Sequence, residues 1–310
     1  MKGRQLAGAA IGAVGATAVA NRLLAGRADP LSPPLERETG SYRWRGMNIE
    51  YTEGGDPEAP DMLLVHAPGM LGTSREFNRI FDRLAESYHV FAPDLPGFGR
   101  SDRPPLTYSS TLYETFLEDF IQNLTDRPIV VGSGLSGAYL AAAVNEVEID
   151  RLLLVCPSTE ARTRTVRGAG RLLRIPVIGQ AAYNALTSRR GINRIAAKRA
   201  LHSPERLAEH DRNYLWHTAH QPGARFAPAA MLAGHLDSAL ELGQSLAKLD
   251  APTTLVWGRE VSFPPLRDGR AIADFASVKL VVVDRARSMP HLEQSGAFFD
   301  ILAEELEATG

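Results

Sequence analysis

Few side chains in this sequence could do nucleophilic chemistry. Ser133 and Ser136 sit in the run Gly132-Ser133-Gly134-Leu135-Ser136-Gly137. A serine hydroxyl attacks a carbonyl only when a general base takes its proton, directly or through one water. His291, just after Pro290, is the imidazole to consider for that task. Cys156 is the only cysteine, which excludes a disulfide framework and a cysteine metal cage. It falls in a predicted strand, where a buried thiol is inert. Among the eight histidines only His217 and His220 show a helical i, i+3 spacing. No third ligand stands near them, so neither metal nor cofactor is expected.

These residues need elements to position them, and the pattern from residue 41 onward supplies them. Tyr42–Met47 and Asn48–Thr52 read as two short antiparallel strands. Met62–His66 is a continuous apolar run of strand length, and His89–Pro93, Pro128–Val131, Leu152–Cys156, Thr253–Trp257 and Lys279–Val283 read as further strands. Thr73-Ser74-Arg75-Glu76 and Thr111-Leu112-Tyr113-Glu114 are capping-box patterns ahead of helical faces. Leu135–Val147 reads as a helix directly after a strand, and Phe298, Phe299, Leu302 and Leu306 mark a closing helix. Strands alternating with helices predict an α/β fold with a mostly parallel sheet covered on both faces.

Four segments in this order resemble the α/β-hydrolase family, the group with lid-bearing esterases, epoxide hydrolases and dehalogenases. They are LLVHAPG at 63–69, APDLPGFGRSDRP at 92–104, IVVGSGLSGAYLAAA at 129–143, and TTLVWGRE at 253–260 with SMPHLEQ at 288–294. The resemblance implies a core of residues 41–157 and 235–310, with a helical lid at 158–234 inserted after the sixth strand. It also implies a nucleophile at the centre of a sharp strand-to-helix turn. With Ile129–Val131 as the strand, that position is Gly134, which has no nucleophilic atom but suits the unusual dihedrals.

The other positions implied by the resemblance are altered as well. The acid position falls on Val261, with Glu260 one residue early; Asp268 lies further on, and Glu160 is the alternative after the preceding strand. The base position, read back from Pro290 and Glu293, falls on Ser288, three residues before His291. One oxyanion-hole donor falls on Pro68, which has no N–H. The other, the backbone N–H of Leu135, persists. Shifting the turn by two residues makes Ser136 the nucleophile, with Ser133 as a further candidate. The structural reading of both serines is a cap on the following helix.

Composition adds a surface. The chain has 310 residues, 44% of them hydrophobic and 23% charged, with a net charge of −2. That total excludes global disorder and a protein that coats nucleic acid. It hides an asymmetry: residues 161–204 hold ten basic and no acidic side chains. Arg164, Arg167, Arg171 and Arg174 recur on one side of a predicted helix, and Arg190, Arg194 and Lys198 repeat at four-residue spacing. Such a face fits a solvated lid, an anionic ligand or partner, or an anionic membrane surface.

Residues 1–40 are a separate unit. Lys2 and Arg4 precede a charge-free run from Gln5 to Asn21, and Arg22 and Arg27 follow. The run fits a signal peptide with Ala16-Thr17-Ala18 at its end, an anchor packing through Gly8, Gly12 and Ala16, or a loose leader. A weak membrane anchor or leader is the reading adopted, and localisation stays open between membrane-associated and cytoplasmic. Asp29–Pro34 reads as a stiff linker. Function is expected to be binding or scaffolding by a catalytically degenerate hydrolase fold, with a small apolar or anionic ligand under the lid. The alternative is an active hydrolase of ester-type substrates using Ser136 or Ser133 with His291.

Overall fold

The computed structural model describes residues 2–161 and 167–307. Eight strands form one sheet: β1 Thr39–Trp44, β2 Met47–Gly54, β3 Asp61–Val65, β4 His89–Pro93, β5 Ile129–Ser133, β6 Arg151–Val155, β7 Thr253–Gly258 and β8 Lys279–Val283. Their spatial order is β1-β2-β4-β3-β5-β6-β7-β8. The first two pairings, β1 with β2 and β2 with β4, are antiparallel, and the rest are parallel.

Strands β3 to β7 are largely apolar because both of their faces are covered. Alternate side chains feed two cores, as the two-residue strand period requires. Leu63, Val65 and Val130 pack on one side with Phe116, Phe120 and Tyr139. Met62, Leu64, Ile129 and Val131 pack on the other with Phe77, Phe81 and Phe298. The helices Ser110–Leu124 and Ser136–Ala143 carry the first core; the closing helix Ser295–Glu307 carries the second.

Local structure departs from the sequence reading in four places. Thr73 does cap a turn, but the element is a short 3-10 helix, Ser74–Phe77, followed by one turn at Phe81–Leu84. Glu76 does not fold back on Thr73; its carboxylate is drawn into the core. The second helix is capped by Ser109, whose Oγ accepts from Leu112 N–H, so Thr111 lies inside it. The helix after β5 ends at Ala143 rather than Val147. Cys156 lies one residue past β6 with φ +44°.

Between β6 and β7 the described residues form five helices of seven or more residues: Arg167–Arg174, Ile178–Leu186, Arg189–Ile195, Glu209–Ala219 and Phe226–Ala233. Arg164 lies outside the described residues, as does the side chain of Arg167. The N-terminal helix Lys2–Ala25 packs on Ile178–Leu186. No helix among the described residues is long and apolar enough to cross a membrane. The stretch after it is pinned rather than free. Tyr214 Oη donates to Ser32 O at 3.3 Å, and Arg75 Nη1 donates to Pro34 O at 2.8 Å. Arg75 also pairs with Asp211 at 2.7 Å, both side chains buried, which ties the core to the insertion.

Candidate active site

The turn after β5 is built around Gly134. Its φ is +55°, a region open to glycine at no steric cost. Gly134 N–H donates to Val155 O at 3.0 Å, which holds the turn against β6. Leu135 then starts the helix, and the Gly137 backbone lies so close to Pro157 that a Cβ there would sit 2.7 Å from its Cβ. A Cβ on Gly134 would meet Ala67 Cβ at 3.2 Å. The sharp turn therefore faces the loop after β3, where Ala67 and Pro68 stand.

The two serines beside the turn are held in bonds of their own. Ser136 Oγ donates to His66 O at 2.7 Å and is fully buried. Ser133 is the last residue of β5 and shares the face of Ile129 and Val131, so its side chain points into the second core. There its Oγ donates to Glu76 Oε1 at 2.5 Å. Neither serine caps the following helix, because Leu135 holds the cap position and the hydroxyls reach backward and sideways.

Glu76 is the residue that sequence reasoning missed. Its Oε2 accepts from Ala67 N–H at 3.3 Å, and its Oε1 lies 3.6 Å from His291 Nε2. Burial pushes the Glu76 carboxyl up to about 8, against the lowering effect of the Ser133 and Ala67 hydrogen bonds. Burial also pushes His291 down to about 3. Between those values the acid is protonated and the imidazole neutral, so the 3.6 Å approach is not a salt bridge. His291 is fully buried between Phe77 and Phe298, and neither ring nitrogen has a hydrogen-bond partner.

Ser133, Glu76 and His291 are thus brought together, with Glu76 Oε1 facing both of the others. A protonated acid cannot accept the serine proton, and the imidazole does not touch the hydroxyl. His66 is occupied elsewhere. Its Nδ1–H donates to Ala67 O at 3.0 Å, its Nε2 accepts from Leu95 N–H at 3.0 Å, and burial lowers its pKa.

The remaining positions are dispersed. Val261 is buried against Cys156 and Trp257. Glu260 accepts from Arg285 N–H at 3.1 Å and Ala286 N–H at 2.9 Å, bracing the loop after β8. Ser288 is half-buried in that loop, and Asp268 is exposed. Glu160 follows β6, where its backbone N–H donates to Ser158 Oγ. Burial pushes the Cys156 thiol up to about 12, and its Sγ donates to Arg287 O at 3.7 Å.

Residues 62–301 match the family model described as "Alpha/beta hydrolase family". The chain belongs to the α/β-hydrolase family. A haloalkane dehalogenase from Bradyrhizobium diazoefficiens is 30% identical over 112 residues, 36% of this chain and 33% of that one. Lipase 3 of a Moraxella species is 35% identical over 115 residues, 36% of each chain. The chain spans about a third of the length of these curated relatives. Among solved structures, 2-hydroxy-6-oxo-6-phenylhexa-2,4-dienoate hydrolase from a Rhodococcus species superposes with a TM-score of 0.71 at 21% identity, covering 87% of this chain and 99% of that one. At that identity the likeness speaks for the α/β-hydrolase fold alone.

Proposed function

We propose that this α/β-hydrolase-family chain is catalytically degenerate and acts by binding, or as a scaffold, with the helices between β6 and β7 as a lid over a small-molecule site. One observation carries the reading. The turn is centred on Gly134, which offers no nucleophile, while the flanking hydroxyls of Ser133 and Ser136 are bound to Glu76 and His66. Val261, Ser288 and Pro68 at the acid, base and oxyanion positions support it, since several independent losses do not fit Ser-His-Asp chemistry.

The ligand class follows from Arg103. It lies within electrostatic reach of Asp94 and Tyr108 in the core and of Tyr183 and Tyr214 in the insertion. Burial lowers its pKa, and its Nη2 is buried without a hydrogen-bond partner. A desolvated guanidinium favours an anionic group on an otherwise apolar ligand.

A second reading has one observation behind it. Ser133, Glu76 and His291 form a serine–acid–histidine cluster, which an opened site could turn to ester hydrolysis. Labelling with a serine-reactive fluorophosphonate separates the two. No adduct on the wild-type chain is the expected result. A stoichiometric adduct lost in Ser133→Ala or Ser136→Ala would sink the degenerate reading.

A further inference from the structure

Eight large apolar side chains are exposed among the described residues, and seven of them lie on three helices that pack on one another and on the turn between two of them. Val14, Val19 and Leu23 belong to Lys2–Ala25, Leu172 to Arg167–Arg174, Ile175 to the following turn, and Ile178 and Leu186 to Ile178–Leu186. Each is 45% to 63% exposed. Isolated exposed apolar residues need no explanation, but such a concentration on neighbouring elements marks an interaction surface.

The turn Ile175-Pro176-Val177-Ile178 is the second observation. Val177 has φ +62°, an outlier for a β-branched residue. The strain is held from outside the turn: Asn21 Nδ2 donates to Val177 O at 2.8 Å, and Asn184 Nδ2 donates to Asn21 Oδ1 at 3.1 Å. The N-terminal helix therefore fixes a turn whose flanking isoleucines project into solvent. Charge is the third observation. Arg22, Arg27, Arg171, Arg189, Arg190, Arg194 and Lys198 are exposed on or beside these helices, and residues 161–204 contain no acid.

We propose that this face docks on an anionic lipid bilayer, with Ile175 and Ile178 entering the interface and the surrounding arginines meeting lipid headgroups. Apolar tips ringed by cations match that partner on both counts. A second copy of the chain fits poorly, because it would set one predominantly basic surface against another. The N-terminal helix lies against the insertion and contributes apolar surface to this face. The proposal does not depend on whether the chain is catalytic.

The test is flotation of the full chain with phosphatidylcholine vesicles, with and without phosphatidylglycerol. Binding is expected only with phosphatidylglycerol, and it weakens as salt rises. Ile175→Ser with Ile178→Ser weakens it at least about tenfold through lost apolar burial. Arg189→Glu with Arg190→Glu weakens it at least about tenfold through charge. Both pairs are exposed, and circular dichroism checks that the fold is kept. Failure to bind, equal binding to phosphatidylcholine alone, or indifference to both variants overturns the proposal. So does a dimer in solution that the isoleucine variant abolishes, which would assign the face to a second copy.

Discussion

Ser133 and Glu76 share a buried hydrogen bond of 2.5 Å between the end of β5 and the short 3-10 helix Ser74–Phe77, 57 positions earlier. It places a carboxyl group inside the second core, beside the turn centred on Gly134. Beside it stands an imidazole, His291, with both nitrogens unpartnered. These are neutral polar groups in an apolar setting, which is costly unless each hydrogen bond is kept.

The first prediction is a pH profile. Glu76 has a folded pKa of about 8 against an ordinary 4.5, so the fold holds its proton more tightly. Its contribution to stability is full below 4.5 and is lost as pH rises through about 8. His291 has a folded pKa of about 3 against an ordinary 6.5, so its contribution is present above 6.5 and lost as pH falls through about 3. Between 4.5 and 6.5 the two slopes cancel. Urea unfolding is expected to show a plateau there and a fall above it of roughly 1.4 kcal/mol per pH unit. In Glu76→Gln the fall above 6.5 disappears while the acid limb stays.

Ser133→Ala tests the hydrogen bond itself. It leaves Glu76 Oε1 without a donor in a buried site, a loss of about 1–3 kcal/mol. Denaturant titration near neutral pH reads this. A variant as stable as the wild type would mean that the hydroxyl does not hold the carboxyl in place.

Arg75 and Asp211 make the next prediction. Their 2.7 Å pair is buried, and Asn78 Nδ2 also donates to Asp211 Oδ1 at 3.0 Å. Asp211→Ala strands the guanidinium and is expected to cost about 3–5 kcal/mol. Arg75→Met with Asp211→Leu removes both charges and recovers most of that loss. Arg75 also holds Pro34 O. Limited proteolysis of Asp211→Ala should therefore cut first between the N-terminal helix and β1.

How much of this was legible in sequence follows from distance along the chain. The Gly134 turn could be read because strand, turn and helix are consecutive, so Ile129–Val131 fixed its register. The parallel strands were legible from their largely apolar runs, with ends that moved by two residues at most, whereas β1, which has no such run, lies three residues earlier than Tyr42–Met47. Glu76 was hidden because it completes a Thr-x-x-Glu pattern that has a local explanation. Its partners Ser133 and His291 are brought to it by two other elements, and no spacing rule connects the three. Ser133 itself could have been assigned to the core by counting two residues from Val131. The Asn21 bond to Val177 was equally invisible, since it joins segments 156 positions apart.

The last prediction tests the proposed degeneracy by placing a serine at Gly134. Gly134→Ser places a hydroxyl at the centre of the turn, where its Cβ meets Ala67 Cβ at 3.2 Å, so the neighbour must give slightly. Positive φ adds about 1–3 kcal/mol of strain, which the hydrogen bond from Gly134 N–H to Val155 O helps to hold. The new serine alone has no base. Ser288 carries no imidazole, and His291 is sealed between Phe77 and Phe298. Gly134→Ser is therefore expected to stay unlabelled by a fluorophosphonate, while Gly134→Ser with Ser288→His acquires an adduct that intact-mass measurement detects. Turnover of an ester stays low even then, because Pro68 withholds one oxyanion donor, a deficit of roughly 10²–10³. Adding Pro68→Gly should raise turnover by a factor of that order without changing the stoichiometry of labelling. An adduct on Gly134→Ser alone would show that a base already reaches the turn, and would move Glu76 or His291 from the core into the mechanism.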